Sequence, residues 1–152
     1  MNPQAAQNYL RAKILTATPE QLQLMLYDGV IRFAEQGKQA ILKKDYETTY
    51  NCLSRAQKII TELTCALKPE VAPDLCRNLS GIYSYCYKKI IDASIQHDVA
   101  ALDEAINLLK YQRETWALLL EKLGKNKAAV AATKIDMPAP DSRMETSISM
   151  QG

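Results

Sequence analysis

Glycine is scarce in this sequence: five residues, at positions 29, 37, 81, 124 and 152. No two are spaced to build a loop that cradles phosphate, so P-loop and dinucleotide fingerprints are absent. Histidine is scarcer still, His97 being the only one. A His-dependent triad would have to use it, a zinc site would need Cys or carboxylates around it, and the paired Glu-x-x-His motifs of a di-iron bundle cannot be assembled. The cysteines at 52, 65, 76 and 86 include no C-x-x-C pair. On helices, Cys76 and Cys86 project about 80° apart and Cys52 and Cys65 about 140°, so neither pair makes half of a metal site. They read as free thiols of a reducing compartment, behaving as small hydrophobes. Nineteen Lys and Arg against seventeen Asp and Glu leave a net charge of +2, too balanced for a dedicated nucleic-acid binder. No apolar run approaches the roughly 18 residues of a membrane span, and the N-terminal MNPQAAQNYLRAK carries no secretory signal.

What is present is helical periodicity. Proline is missing between Pro19 and Pro69 and again between Pro73 and Pro138, and both windows are rich in Leu, Ala, Gln, Glu and Lys. Thr18-Pro19-Glu20-Gln21 supplies an N-cap hydroxyl, a proline at the first helical position and a Gln at N3. A first long helix follows, with a core stripe at Leu22, Leu26, Gly29, Phe33, Gly37 and Ala40 and an ending near Lys43-Lys44. Asp45 caps a second helix with the stripe Tyr46, Thr49, Leu53, Ala56, Ile60, Leu63 and Leu67. A third runs from about Asp74 to Gln96 on Leu75, Leu79, Ile82, Cys86, Ile90 and Ala93. Asp98 caps a fourth, on Val99, Leu102, Ile106, Leu109, Trp116, Leu120 and Leu123, interrupted by Arg113 and stopped at Gly124.

Short connections make neighbouring helices antiparallel. The expected fold is all-α: an antiparallel up-and-down four-helix bundle over residues 18–124, preceded by a short N-terminal helical segment (residues 1–17) and followed by a disordered tail (125–152) of small and polar residues. The order of the helices around the bundle is open at this point.

No catalytic constellation emerges. Asp92, Asp103, Glu104, Glu114 and Glu121 fall mostly on polar faces, and His97 stands beside a helix cap. The unusual feature is apolar surplus. Beyond its core stripe, the first helix carries Leu24, Tyr27 and Ile31, the second Cys52 and Ile59, the third Tyr83 and Tyr87, and the fourth Ala101, Ala105, Leu108 and Leu119. Together with eight Tyr against a single Phe and a single Trp, these second faces read as a partly wet groove for a partner's amphipathic segment. Tyr9, Leu10 and Ile14 of the N-terminal segment make a removable lid for it. Gly29, costly inside a helix, marks a close approach by another backbone, with Asp28 and Arg55 as a polar tie beside it.

Several blocks carry a family likeness: Thr16-Ala17-Thr18-Pro19-Glu20-Gln21-Leu22, Met25-Leu26-Tyr27-Asp28-Gly29-Val30-Ile31-Arg32-Phe33, Lys44-Asp45-Tyr46, Arg55 through Leu63, and Leu108-Leu109 with Arg113-Glu114-Thr115-Trp116. With Tyr9 ahead of them, the chain resembles the flagellar secretion chaperone family FliS over about residues 5–120. Ser84 stands between Tyr83 and Tyr85 where that family usually has an acidic residue, and Lys88-Lys89 stand for its arginines. The resemblance implies a cytoplasmic protein, not an enzyme and without cofactor or metal. Its implied role is to bind the disordered C-terminal segment of flagellin, prevent premature polymerisation and help deliver the cargo to the export apparatus. The implied partners are that segment and a component of the flagellar export gate, with no nucleic acid and no membrane insertion. A helical adaptor or regulatory module for another intracellular partner is the competing reading.

Overall fold

The computed structural model describes residues 2–136, and all its regular structure is helical: α1 (Pro3–Thr16), α2 (Pro19–Leu42), α3 (Tyr46–Cys65), α4 (Pro73–Gln96) and α5 (Val99–Asp136). Local chemistry sets the starts. The Thr18 hydroxyl accepts from the Gln21 N–H at 3.1 Å while the Gln21 side chain accepts from the Thr18 N–H at 3.0 Å, closing a capping box. Asp45 accepts from both the N–H and the hydroxyl of Thr48, and Asp98 accepts from the Ala101 N–H. α4 has no side-chain cap; it opens on Pro73, which has no N–H to satisfy. Between α2 and α3, and again between α4 and α5, the chain reverses through a single residue in the left-handed region, Lys44 and His97.

The chain divides after Ala117 into two compact units. The first contains α1 and the bundle. Its helices are arranged α2–α3–α4–α5 in a ring. α5 runs antiparallel to α2, because successive links pair rising with falling numbers: Asp103 with Lys38, Lys110 with Glu35, Arg113 with Asp28, each at 2.7 Å, and the Trp116 indole N–H donating to the Glu20 carbonyl at 2.9 Å. Glu104 ties α5 to α4 by accepting from the Tyr85 hydroxyl and the Lys89 ammonium. The core is filled by Val30 and Ala34 of α2, Leu53, Ile60 and Leu63 of α3, Cys86 and Ile90 of α4, and Leu102 and Leu109 of α5, all fully enclosed or nearly so.

Two positions set the spacing and rotation of the helices. A Cβ on Gly37 would lie 2.5 Å from Cδ2 and 2.9 Å from Cγ of buried Leu53, so α3 reaches its place only because position 37 has no side chain. Across the diagonal, the hydroxyls of Tyr27 (α2) and Tyr83 (α4) hydrogen-bond to each other inside the core, with Gln23 facing the pair. Both rings are enclosed. Burial raises the affinity of both phenols for their protons, and it pushes the Cys86 thiol beside them up to about 12.

Several expectations are corrected. Tyr27 and Tyr83 belong to the core and not to a second face, because each bundle helix packs against two neighbours and a diagonal partner and so buries a wide stripe. Conversely Tyr46, expected in the core, is exposed and stacks on the His97 ring, centroids 3.7 Å apart. Leu75 and Leu123 are exposed as well. Gly124 does not stop α5, which runs on to Asp136; its φ is not positive, and the flanking Lys and Ala residues and a Glu121–Lys125 ion pair at 3.1 Å favour continuation. Residues 137–152 of the expected tail lie outside the described residues.

Three outcomes are expected. Gly37→Leu lowers stability in urea unfolding by about 1–3 kcal/mol through overpacking, whereas Gly81→Ala, where an added Cβ meets nothing within 4 Å, raises it by about 1 kcal/mol. Tyr27→Phe costs about 1–3 kcal/mol, and the Tyr27→Phe/Tyr83→Phe double variant costs less than the sum of the two single ones, because it removes both polar atoms. The folded state holds phenol and thiol protons that the unfolded chain releases, so their contribution is full below about pH 9 and declines as pH rises toward 12. The double variant should lose less stability in the alkaline part of that range.

Candidate functional site

α1 lies along a groove between α2 and α3. Its volume is about 580 Å³; the floor is Leu22, Met25, Leu26, Gly29 and Phe33 of α2 with Ile59 of α3, and Leu10 and Ile14 close it from α1. Lys13, Asp28, Arg32 and Glu62 supply the polar rim. Helical geometry explains why these α2 residues share the groove. Steps of three and four from Leu22 to Phe33 keep them on one side, roughly opposite Tyr27.

The cover is thin. No residue of α1 is buried; Leu10 is 51% and Ile14 45% exposed, and Tyr9 stands clear at 71%. At 25–30 cal/mol per Å² removed from water, two half-covered side chains hold α1 down by only about 1–3 kcal/mol. Ala17 and Thr18, both extended, separate α1 from α2.

Gly29 does serve a close approach, though by a side chain and not a backbone: an added Cβ would lie 3.3 Å from Ile59 Cδ1. The expected Asp28–Arg55 tie is not formed. Asp28 pairs with Arg113 of α5 at 2.7 Å, strengthening that guanidinium's hold on its proton, and Arg113 also reaches Glu114. Arg55 instead lies over the Phe33 ring, 5.5 Å from its centroid, with Arg32 at 5.3 Å. The ion pair is largely exposed and is worth at most about 1 kcal/mol. Its sequence signal was the charge of Arg113 interrupting an apolar stripe.

Of the residues expected to bind a partner, the structure brings Leu10, Ile14 and Ile59 together in this groove with Asp28 and Gly29, while Thr18 caps the helix that forms its wall. Leu24, Ile31 and Leu108 are half-buried, the last two against the core. Tyr87 lines a separate groove between α3 and α4, and Leu119 lies in the second unit. Leu22, Met25, Leu26 and Phe33 were not among the expected binding residues. Leu26 and Phe33, expected in the core, do pack against it while also flooring the groove, and Leu22 is the exposed member; the three- and four-residue stripe says only that they share a face. Among the described residues, no group of three or more His, Cys, Asp and Glu side chains could hold a metal, and no helix is long and apolar enough to cross a membrane.

The helical fold has a solved counterpart. A solved structure described as a flagellar chaperone from bacteria matches 80% of this chain and 99% of its own with a TM-score of 0.65, at 21% identity, a likeness of fold. The family model for flagellar protein FliS matches residues 1–123. The flagellar secretion chaperone FliS of Bacillus subtilis is 32% identical over 126 residues, 83% of this chain and 92% of that protein. The Salmonella typhimurium FliS is 28% identical over 118 residues, 77% and 87% of the two chains. The chain belongs to the FliS family of flagellar secretion chaperones.

Removing residues 1–17 should leave cooperative unfolding in place, with Tm lowered by no more than about 8 °C, since α1 buries nothing fully. The same variant should bind more of the dye ANS than the intact chain, because the groove floor is uncovered. Unchanged dye binding would show that α1 does not shield it.

Proposed function

We propose that this protein is a cytoplasmic chaperone that takes the disordered C-terminal segment of flagellin into the α2–α3 groove, prevents its premature polymerisation and delivers it to the export apparatus. In this reading residues 1–17 are a lid, residues 18–124 are the binding body, and a component of the flagellar export gate receives the complex. The observation that carries it is the apolar groove under a thinly held N-terminal helix, in a chain of the flagellar secretion chaperone family.

The physics fits such a cargo. A disordered segment gives up conformational entropy on binding and needs a long apolar contact to offset it. Leu22, Met25, Leu26, Phe33 and Ile59 offer one end of that contact, and Met25 adapts to side chains of different shape. While α1 occupies the groove, the binding-competent fraction is reduced and the apparent affinity falls in proportion, but the apolar floor is kept from other chains. No bond is made or broken, so the groove needs no nucleophile.

Calorimetry with the C-terminal segment of the cognate flagellin tests this. Saturable binding with a large negative heat-capacity change is expected. Leu22→Glu, at the exposed edge of the floor, should weaken binding by about tenfold or more, and removal of residues 1–17 should tighten it. No heat of binding at tens of micromolar (about 10–50 μM, well above the range of a specific complex) would overturn the reading.

A further inference from the structure

A second groove runs between α3 and α4. It has a volume of about 520 Å³ and is lined by Tyr50, Ser54, Arg55, Lys58, Thr61 and Tyr87, among others. Past Thr61 and Tyr87 it continues into a depression of about 230 Å³ beside Thr64. Neither depression has an aspartate or glutamate in its lining. Its two cations are not spent on carboxylates: neither forms an ion pair among the described residues, and Arg55 is held at the ridge by its stacking over Phe33. Tyr50 is 65% and Tyr87 37% exposed, so the groove presents two rigid aromatic surfaces together with hydroxyls.

Exposed tyrosines beside uncompensated cations are the composition of a protein-binding surface. The rings bury large area at small entropic cost, and the charges select the sign of the partner. We propose that the α3–α4 groove docks an acidic segment of a partner polypeptide, its carboxylates on Arg55 and Lys58 and its apolar side chains against Tyr50 and Tyr87. A trough between two packed helices accommodates a polypeptide segment along its length. Nucleic acid is disfavoured because two cations displace few counterions and the chain's net charge is only +2. The proposal rests on residues apart from the groove under α1, so the two sites stand or fall separately.

The test uses the full chain and a fluorescein-labelled peptide of Glu, Leu and Gln with its glutamates on one helical face, followed by anisotropy at low salt. Saturable binding is expected, weakened by about tenfold or more by Lys58→Glu and by added salt, and reduced by Tyr87→Ala. Each variant should keep its affinity for the flagellin segment and its circular dichroism. Absence of saturable binding, equal binding of the peptide with Lys in place of Glu, indifference to Lys58→Glu, or tighter binding of a single-stranded RNA at the same residues would each overturn the proposal.

Discussion

The hydroxyl contact between Tyr27 and Tyr83 sets the rotation of the bundle's helices. A phenol enclosed in a helical core has to find a polar partner, and each of these two finds the other across the diagonal. Once Tyr27 points inward, the rest of α2 is committed. Gly29, two residues on, is rotated by roughly 200° and faces Ile59 of α3, and Leu22 and Met25 lie on that same side. The groove is therefore a consequence of how α2 is held from within: the first half of the expected stripe, from Leu22 to Phe33, floors it, while Gly37 and Ala40 of the same stripe are buried in the bundle.

That split shows where a sequence stops being informative about a fold like this. Caps and turns are local, and they could be read directly: Thr18 with Gln21, Asp45, Pro73 and Asp98 all sit within a residue or two of the helix starts. The antiparallel bundle followed from short connections. Which of two apolar faces on α2 turns inward depends on residues 56 positions away, and no periodicity reports that. The same holds for the partner of Asp28, found 85 residues further on at Arg113 and not at Arg55. Tyr46 misled because it kept the heptad step yet lies at the mouth of the bundle, where His97 covers it instead of the core. Gly124 misled because a glycine terminates a helix only where the backbone adopts a positive φ, and here it does not.

The two grooves divide the surface chemically. The one under α1 is floored by aliphatic and aromatic carbon, and its rim carries charges of both signs. The one between α3 and α4 is walled by tyrosine and carries cations alone. Arg55 stands on the ridge between them, stacked over Phe33 of the first and lining the second. α3 therefore contributes to both surfaces, with its buried stripe of Leu53, Ala56, Ile60 and Leu63 as the fixed side.

The capping box at Thr18 has a mechanical consequence. Its two hydrogen bonds are closed entirely between Thr18 and Gln21, with no contribution from α1. The extended residues Ala17 and Thr18 thus join α1 to a helix start that is already self-sufficient. In the proposed lid role, departure of α1 leaves the Thr18 and Gln21 N–H groups paired, so the start of α2 is not expected to fray toward Leu22. On that reading the wall of the groove is built without α1, and opening costs only the few contacts of Leu10 and Ile14.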